Sequence, residues 1–226
     1  MVCTLTDVLR LANNSLGEIR TGRLKRARAQ ECCQRSHGIT HLALLRGLNV
    51  GGGNIIKMTD LRACFEDSKL ENVATYIQSG NVLFETAETN PVKLVRKLES
   101  ALSETFRPYQ ARVVLCSHAK LRRIVQKAPE GFGSQPQKYR YDVIYLKETL
   151  TASSAMKSVT TKQGVDAAFM GPSVLYFSRL IARASQSHLA RIIGLAIYQD
   201  MTIRNWNTTR KILALMDART RFSVGP

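Results

Sequence analysis

Cysteine, histidine, tryptophan and acidic side chains are all scarce in this sequence, and each shortage removes a class of chemistry. The five cysteines include no Cys-x-x-Cys pair and no histidine at zinc spacing. Their odd number excludes a complete disulfide framework, and their spacing excludes a zinc module. They read as reduced thiols of a cytoplasmic protein. The four histidines, His37, His41, His118 and His188, have no serine or cysteine partner nearby in sequence, so no nucleophile or general base is singled out. No metal and no cofactor is expected, because no set of His, Cys, Asp or Glu has ligand spacing. No apolar run approaches the roughly 20 residues of a membrane span. Neither nucleotide fingerprint is complete. Gly47-x-x-x-x-Gly52 is followed by Gly53-Asn54 instead of the lysine and hydroxyl of a phosphate loop, and Ile56 stands where a dinucleotide motif needs its third glycine.

What is abundant is positive charge. Lys and Arg number 33 against 17 Asp and Glu, a formal net charge of +16. The excess is +4 over residues 1–40, +1 over 41–116 and +11 over 117–226. Such a balance favours anionic partners through steering and counterion release, and it also serves solubility. Residues 1–38 form a basic segment without apolar period beyond a short amphipathic stretch, LTDVLRLANNSL. There is no hydrophobic core of a secretory signal in it. It is expected to be a loosely ordered extension, or coding sequence upstream of the true start.

From residue 39 the pattern becomes regular. HLALLRG is almost continuously apolar, the mark of a strand buried on both faces. KMTDLRACFEDSKL reads as a helix capped by Thr59, VATYIQ and NVLFET as two strands turning at Ser79-Gly80, and NPVKLVRKLESALSETF as a helix. Asn90 caps that helix, Pro91 opens it, and Val95, Leu98, Leu102 and Phe106 form its buried stripe. ARVVLCS is the fourth strand. This β-α-β-β-α-β order, over residues 39–116, is the ferredoxin-like arrangement.

Residues 117–226 carry a connecting helix capped by Ser117 and then a second such unit. Its strands are YDVIYLKE, a hairpin DAAFMGPSVLYFSR turning at Gly171-Pro172, and IYQDMTIRN; its helices are TASSAMKSV, SQSHLARIIG and the terminal NTTRKILALMDA. The expected fold is therefore α+β, two ferredoxin-like repeats packed into one compact protein.

The candidate site lies where the first strand ends. Gly51, Gly52 and Gly53 permit unusual backbone angles, leave amides free at a strand end and precede a helix N-terminus, although the same run also serves as a flexible connector. Arg46 and Asn49 are echoed by Arg204 and Asn207, since RGLN and RNWN share one Arg-x-x-Asn spacing. An arginine fork suits a carboxylate or phosphate. The alternatives are an ion pair to an acid such as Asp200, and a helix N-cap for Asn207. Gln78 and Asn81 at the hairpin offer hydrogen bonds to a ligand, or serve the turn itself. Trp206, beside Asn205, stacks a ring-bearing ligand or plugs the gap between repeats.

Nucleic acid is the competing partner. Base stacking of the RNA-recognition kind needs aromatics on the two central strands; HLALLRG and NVLFET offer only Phe84 and the RNP1 pattern is absent, which rules that mode out. A non-specific basic groove remains open to Arg122, Arg123, Lys127, Lys138 and Arg140, with Tyr139 and Tyr141 interleaved.

Two stretches carry a family likeness: ALLRGLNVGG with TYIQSGNVLF, and YFSRLIARASQSHLARIIG leading into YQDMTIRNWNTTRKILAL. Over roughly residues 41–217 they resemble the bacterial family called domain of unknown function 1697. The resemblance implies an α/β protein with ferredoxin-like repeats and supplies no catalytic residues. The extension before residue 39 has no counterpart in it, and Ile55 replaces a basic residue often found there, with Lys57 close by. The expected function is the binding of a small anionic ligand, with Arg46 and Arg204 holding the anion, Gly51–Gly53 presenting amides, and Asn49 and Asn205 orienting it. The alternative is a polyanion-binding module acting through the basic second half.

Overall fold

The computed structural model describes residues 39–49 and 55–223. The N-terminal segment 1–38 and Gly51, Gly52 and Gly53 lie outside the described residues.

Strand β1 (Ile39–Leu45) is followed by helix α1 (Met58–Asp67), strands β2 (Glu71–Tyr76) and β3 (Asn81–Thr86), helix α2 (Pro91–Thr105) and strand β4 (Val113–Ser117). The sheet order is β2-β3-β1-β4 with every neighbour antiparallel. After helix α3 (His118–Gln126) come β5 (Tyr139–Leu146), α4 (Ala152–Ser158), β6 (Asp166–Gly171) and β7 (Val174–Leu180). A 3-10 turn (Ile181–Gln186), the short helix α5 (Leu189–Ile193), a second 3-10 turn (Ala196–Asp200), β8 (Met201–Asn205) and helix α6 (Trp206–Ser223) complete the chain. The second sheet, β6-β7-β5-β8, repeats the first, so the protein consists of two ferredoxin-like halves.

Side-chain alternation along β1 explains its unbroken apolar run. Ala43 and Leu45 face α1 and α2 in one core, whereas Leu42 and Leu44 face the opposite way. That second face joins Tyr141, Val143, Tyr145 and Tyr176 of the other sheet, with α3 and α6 contributing Leu121, Ile124, Ile212 and Met216. The far face of the second sheet packs on α4 and α5 as a third core. A sheet buried on both faces cannot show polar alternation, which is why its strands read as solid apolar runs.

Local chemistry fixes the helix ends. Asn90 Oδ1 accepts from the amides of Val92 and Lys93 at 3.0 and 3.1 Å, with Pro91 in the first turn. Ser117 and Thr151 cap α3 and α4 through their hydroxyls. The buried stripe of α2 is Leu94, Leu98 and Leu102, with Val95 and Phe106 at its margin.

Several expectations are corrected. Thr59 does not cap α1: Met58 packs against the core and draws the helix start back, leaving Lys57 at the cap position and Thr59 bonded to Asp60. The turn between β2 and β3 spans Ile77–Gly80, not two residues. Gly80 sits at φ 69°, and a Cβ there would lie 2.9 Å from Leu45 Cβ. The stretch IYQD is a 3-10 turn, because pairing with β5 begins only at Met201 opposite Leu146. The predicted helix SQSHLARIIG is reduced to α5. The terminal helix starts at Trp206, and Asn205, not Asn207, caps it by accepting from the Asn207 amide at 2.9 Å. No helix among the described residues is long and apolar enough to cross a membrane.

Candidate functional site

Arg204 projects from β8 toward the first sheet, where its guanidinium is buried. An arginine side chain has five N–H donors, and here the protein engages them all. Nε donates to Asn81 Oδ1; Nη1 donates to Thr202 Oγ1 and the Ile203 carbonyl, both at 2.8 Å; Nη2 donates to the carbonyls of Leu45 at 2.7 Å and Ser79 at 2.8 Å. Among the described residues no carboxylate accepts from it, and the anticipated ion pair with Asp200 does not form. Burial pulls its pKa down to about 10, well above neutrality, and the side chain remains a cation held by neutral acceptors. No N–H is left for an anion. Arg204 ties the second sheet to the β2–β3 turn and the end of β1.

Three asparagines of the candidate set are similarly engaged. Asn81 is fully buried; its amide donates to the Tyr76 carbonyl at 3.0 Å and to Ser79 Oγ at 2.9 Å, while its oxygen accepts from Arg204. Asn49, at φ 54°, exchanges hydrogen bonds with the Ile56 backbone and donates to the Gln78 carbonyl at 2.9 Å. It thereby brings residues 49 and 56 together. Asn205 donates to the Tyr141 carbonyl at 3.1 Å while capping α6. Trp206, 7% exposed, belongs to the shared core and meets the Phe132 ring edge-on at 5.2 Å. Of its two readings, the plug describes this position.

Arg46 differs from all of these. It lies one residue beyond β1, half-buried, and its guanidinium carbon stands 5.0 Å from the centre of the Tyr198 ring. A ring face stabilises the cation but engages few of its N–H groups. Among the described residues, no carboxylate pairs with it. Its backbone is fixed: the amide donates to the Arg112 carbonyl at 3.0 Å, and its carbonyl accepts from the Tyr109 hydroxyl at 2.8 Å. Burial raises the Tyr109 pKa to about 12, with the Arg204 and Arg46 charges pulling against it, so the phenol stays a donor. The Gln78 side chain is exposed on the neighbouring turn. The structure thus gathers Arg46, Asn49, Gln78, Asn81 and Arg204 at one end of the first sheet. Asn205 and Trp206 belong to the start of α6.

Tyr109 and Tyr198 were invisible as site residues in the sequence. Tyr198 reaches Arg46 only because a 3-10 turn replaces the expected strand, and Tyr109 sits in an irregular connection. Elsewhere, Arg122 of the basic helix α3 is held by Asp217 at 2.9 Å, while Arg123 and Lys127 are exposed. A second concavity, between α2 and the end of β5, has apolar walls from Val92, Val95, Val113 and Leu115. The Lys147–Glu99 ion pair at 2.7 Å borders it, and Glu99 also accepts from the Val113 amide.

Comparison with known proteins agrees with this architecture. The solved structure of the conserved bacterial protein SP0830 from Streptococcus pneumoniae is similar, with a TM-score of 0.69 and 24% identity across 80% of this chain and 99% of that one. That identity carries the fold alone. No curated protein matches the chain. The family model for the protein of unknown function DUF1697 matches residues 39–176, the whole first sheet and the second as far as β7. With well over half of its length inside that match, the chain belongs to the DUF1697 family.

Proposed function

We propose that the protein binds a small anionic ligand, bearing a phosphate or a carboxylate, at the end of β1, with Arg46 as the cation that holds it. One observation carries this reading: Arg46 is half-buried, oriented by the Tyr198 ring, and unmatched by any carboxylate among the described residues. A semi-enclosed guanidinium strengthens charge-assisted hydrogen bonds to a bidentate anion. Arg204, Asn49 and Asn81 build the frame around it, and Gln78 is exposed at its margin. The glycines at 51–53 follow Arg46 after four intervening residues and would supply backbone amides.

The test is a thermal-shift panel of inorganic phosphate, nucleoside monophosphates, sugar phosphates and dicarboxylates. A ligand at 100 times its Kd adds about 2.7 kcal/mol of stability. The expected result is stabilisation by at least one anion, lost in Arg46→Ala while the melting temperature of the free protein stays within a few degrees. A stabilising anion that binds Arg46→Ala equally well, or a panel without effect, refutes the reading.

A further inference from the structure

The face of the second sheet is only partly covered by the shared core. Tyr141, Val143 and Tyr145 on β5 share a face with Ser178, Tyr176 and Val174 on β7 and with Ala167, Phe169 and Gly171 on β6, as the antiparallel register requires. Val143, Tyr145, Val174 and Tyr176 are sealed against the first sheet and α6. Toward the start of β5 the covering stops and an open cleft remains. Its lining includes Phe132, Tyr139, Tyr141, Phe169, Ala167 and Ser178. The two small residues form a floor flanked by aromatic walls. Strands β5 and β6 stand two spacings apart, roughly 10 Å, which leaves room for one flat ring above the floor.

We propose that this cleft is a stacking site for an unpaired base of single-stranded nucleic acid. Its rings are already in place: Phe132 is fixed edge-on against Tyr141 at 4.9 Å, and Tyr139 lies 6.2 Å from Tyr141. Phe169 is 45% exposed, a large apolar side chain left in water on an edge strand. The Ser178 hydroxyl on the floor makes no hydrogen bond among the described residues and is available to a base edge. Charge selects the occupant. Lys138 stands over the Tyr139 ring at 5.4 Å, exposed Lys127 lies two residues before the lining residue Pro129, and residues 117–226 carry an excess of +11. Glu130 is the one acid in the lining. An apolar slot with a basic rim fits a base with its phosphate and opposes a basic partner. Aromatic side chains on a sheet surface can stack unpaired bases. The first repeat cannot offer that surface, since its Phe84 is buried beneath α1.

The experiment measures fluorescence anisotropy of a labelled 15-nucleotide oligothymidylate and of an abasic strand of the same length, at several salt concentrations. The expected result is tighter binding of the base-bearing strand, by about 5- to 150-fold, the range that one base–aromatic stack supplies. Phe169→Ala and Tyr139→Ala should remove most of that difference, and Phe169 is exposed enough for its variant to fold. Lys138→Gln should reduce the salt slope by about 0.7. Arg46→Ala should change nothing, which separates this site from the one proposed above. Equal affinity for the two strands, a base preference that survives Phe169→Ala, or no binding at low salt would overturn the proposal.

Discussion

Replacing Arg204 should damage the fold far more than any ligand site, and the structure gives the size of the effect. Removing the guanidinium deprives Asn81 Oδ1 and the carbonyls of Leu45, Ser79 and Ile203 of their charged donor. A buried acceptor left unpaired costs about 1–3 kcal/mol. Against this stands relief from burying a cation without a carboxylate, worth several kcal/mol. Four acceptors at that cost outweigh the relief of several kcal/mol and leave a net loss of about 3–5 kcal/mol for Arg204→Ala. For a chain of this size that is a fall in Tm of roughly 6–20 °C. Arg204→Met keeps the aliphatic stem and should lose less. Arg204→Lys keeps the charge but has three donors on a point ammonium, so it cannot reach acceptors spread over the β1 end, the hairpin turn and β8. Equilibrium urea unfolding gives the answer directly. If Arg204→Met lies within about 0.5 kcal/mol of the wild type at an unchanged m-value, the acceptors are being rehydrated and the argument fails.

Three further outcomes follow from other buried features. Both ring nitrogens of His41 are buried without a hydrogen bond among the described residues, and burial lowers its pKa from 6.5. Below about pH 6.5 the unfolded chain therefore takes up a proton that the native ring resists, and stability falls as pH falls. His41→Phe, which keeps the stack on Phe84, should flatten denaturation midpoints between pH 7 and 5; an unchanged slope rules His41 out as the cause. For the Lys147–Glu99 pair, each side chain 17% exposed, Lys147→Met should cost about 1–3 kcal/mol, and adding Glu99→Gln should recover part of it; strictly additive losses in urea would contradict direct coupling. Gly133, at φ 90°, has a position where a Cβ would collide with the Trp206 indole. Gly133→Ala should cost about 1–3 kcal/mol and red-shift the emission of the sole tryptophan, whereas wild-type fluorescence and Tm would show that the loop relaxes freely.

The element order was legible because its signals are local. Asn90-Pro91 and Ser117 act within three residues of themselves, and the solid apolar runs of β1, β3 and β5 follow from burial on both faces of their sheets. What stayed hidden depends on contacts far apart in sequence. The bond from Arg204 to Leu45 spans 159 residues, so the sequence offered no way to distinguish a buried structural cation from a ligand clamp. Tyr198 was hidden by a wrong period: IYQDMTIRN reads as one strand, yet only five of its residues pair. The basic run around Tyr139 and Tyr141 was visible, but strand alternation puts the two tyrosines on one face and Arg140 on the other, and a linear list conceals that division.

The two Arg-x-x-Asn stretches illustrate how one spacing yields two chemistries. Both arginines cross the junction between repeats, in opposite directions. Arg204 leaves the second sheet and ends among carbonyls of the β2–β3 turn; Arg46 leaves the end of the first sheet and ends on the Tyr198 ring, in the 3-10 turn before β8. Carbonyls engage N–H groups along defined directions, so a turn that presents several of them can use up a guanidinium. An aromatic face attracts the charge without using its donors. The asymmetry therefore lies in what each arginine meets, not in the arginine or its distance from the following asparagine. Arg204 makes the junction rigid. Arg46, held on a ring face and without a carboxylate partner among the described residues, is the residue on which the proposed anion site rests.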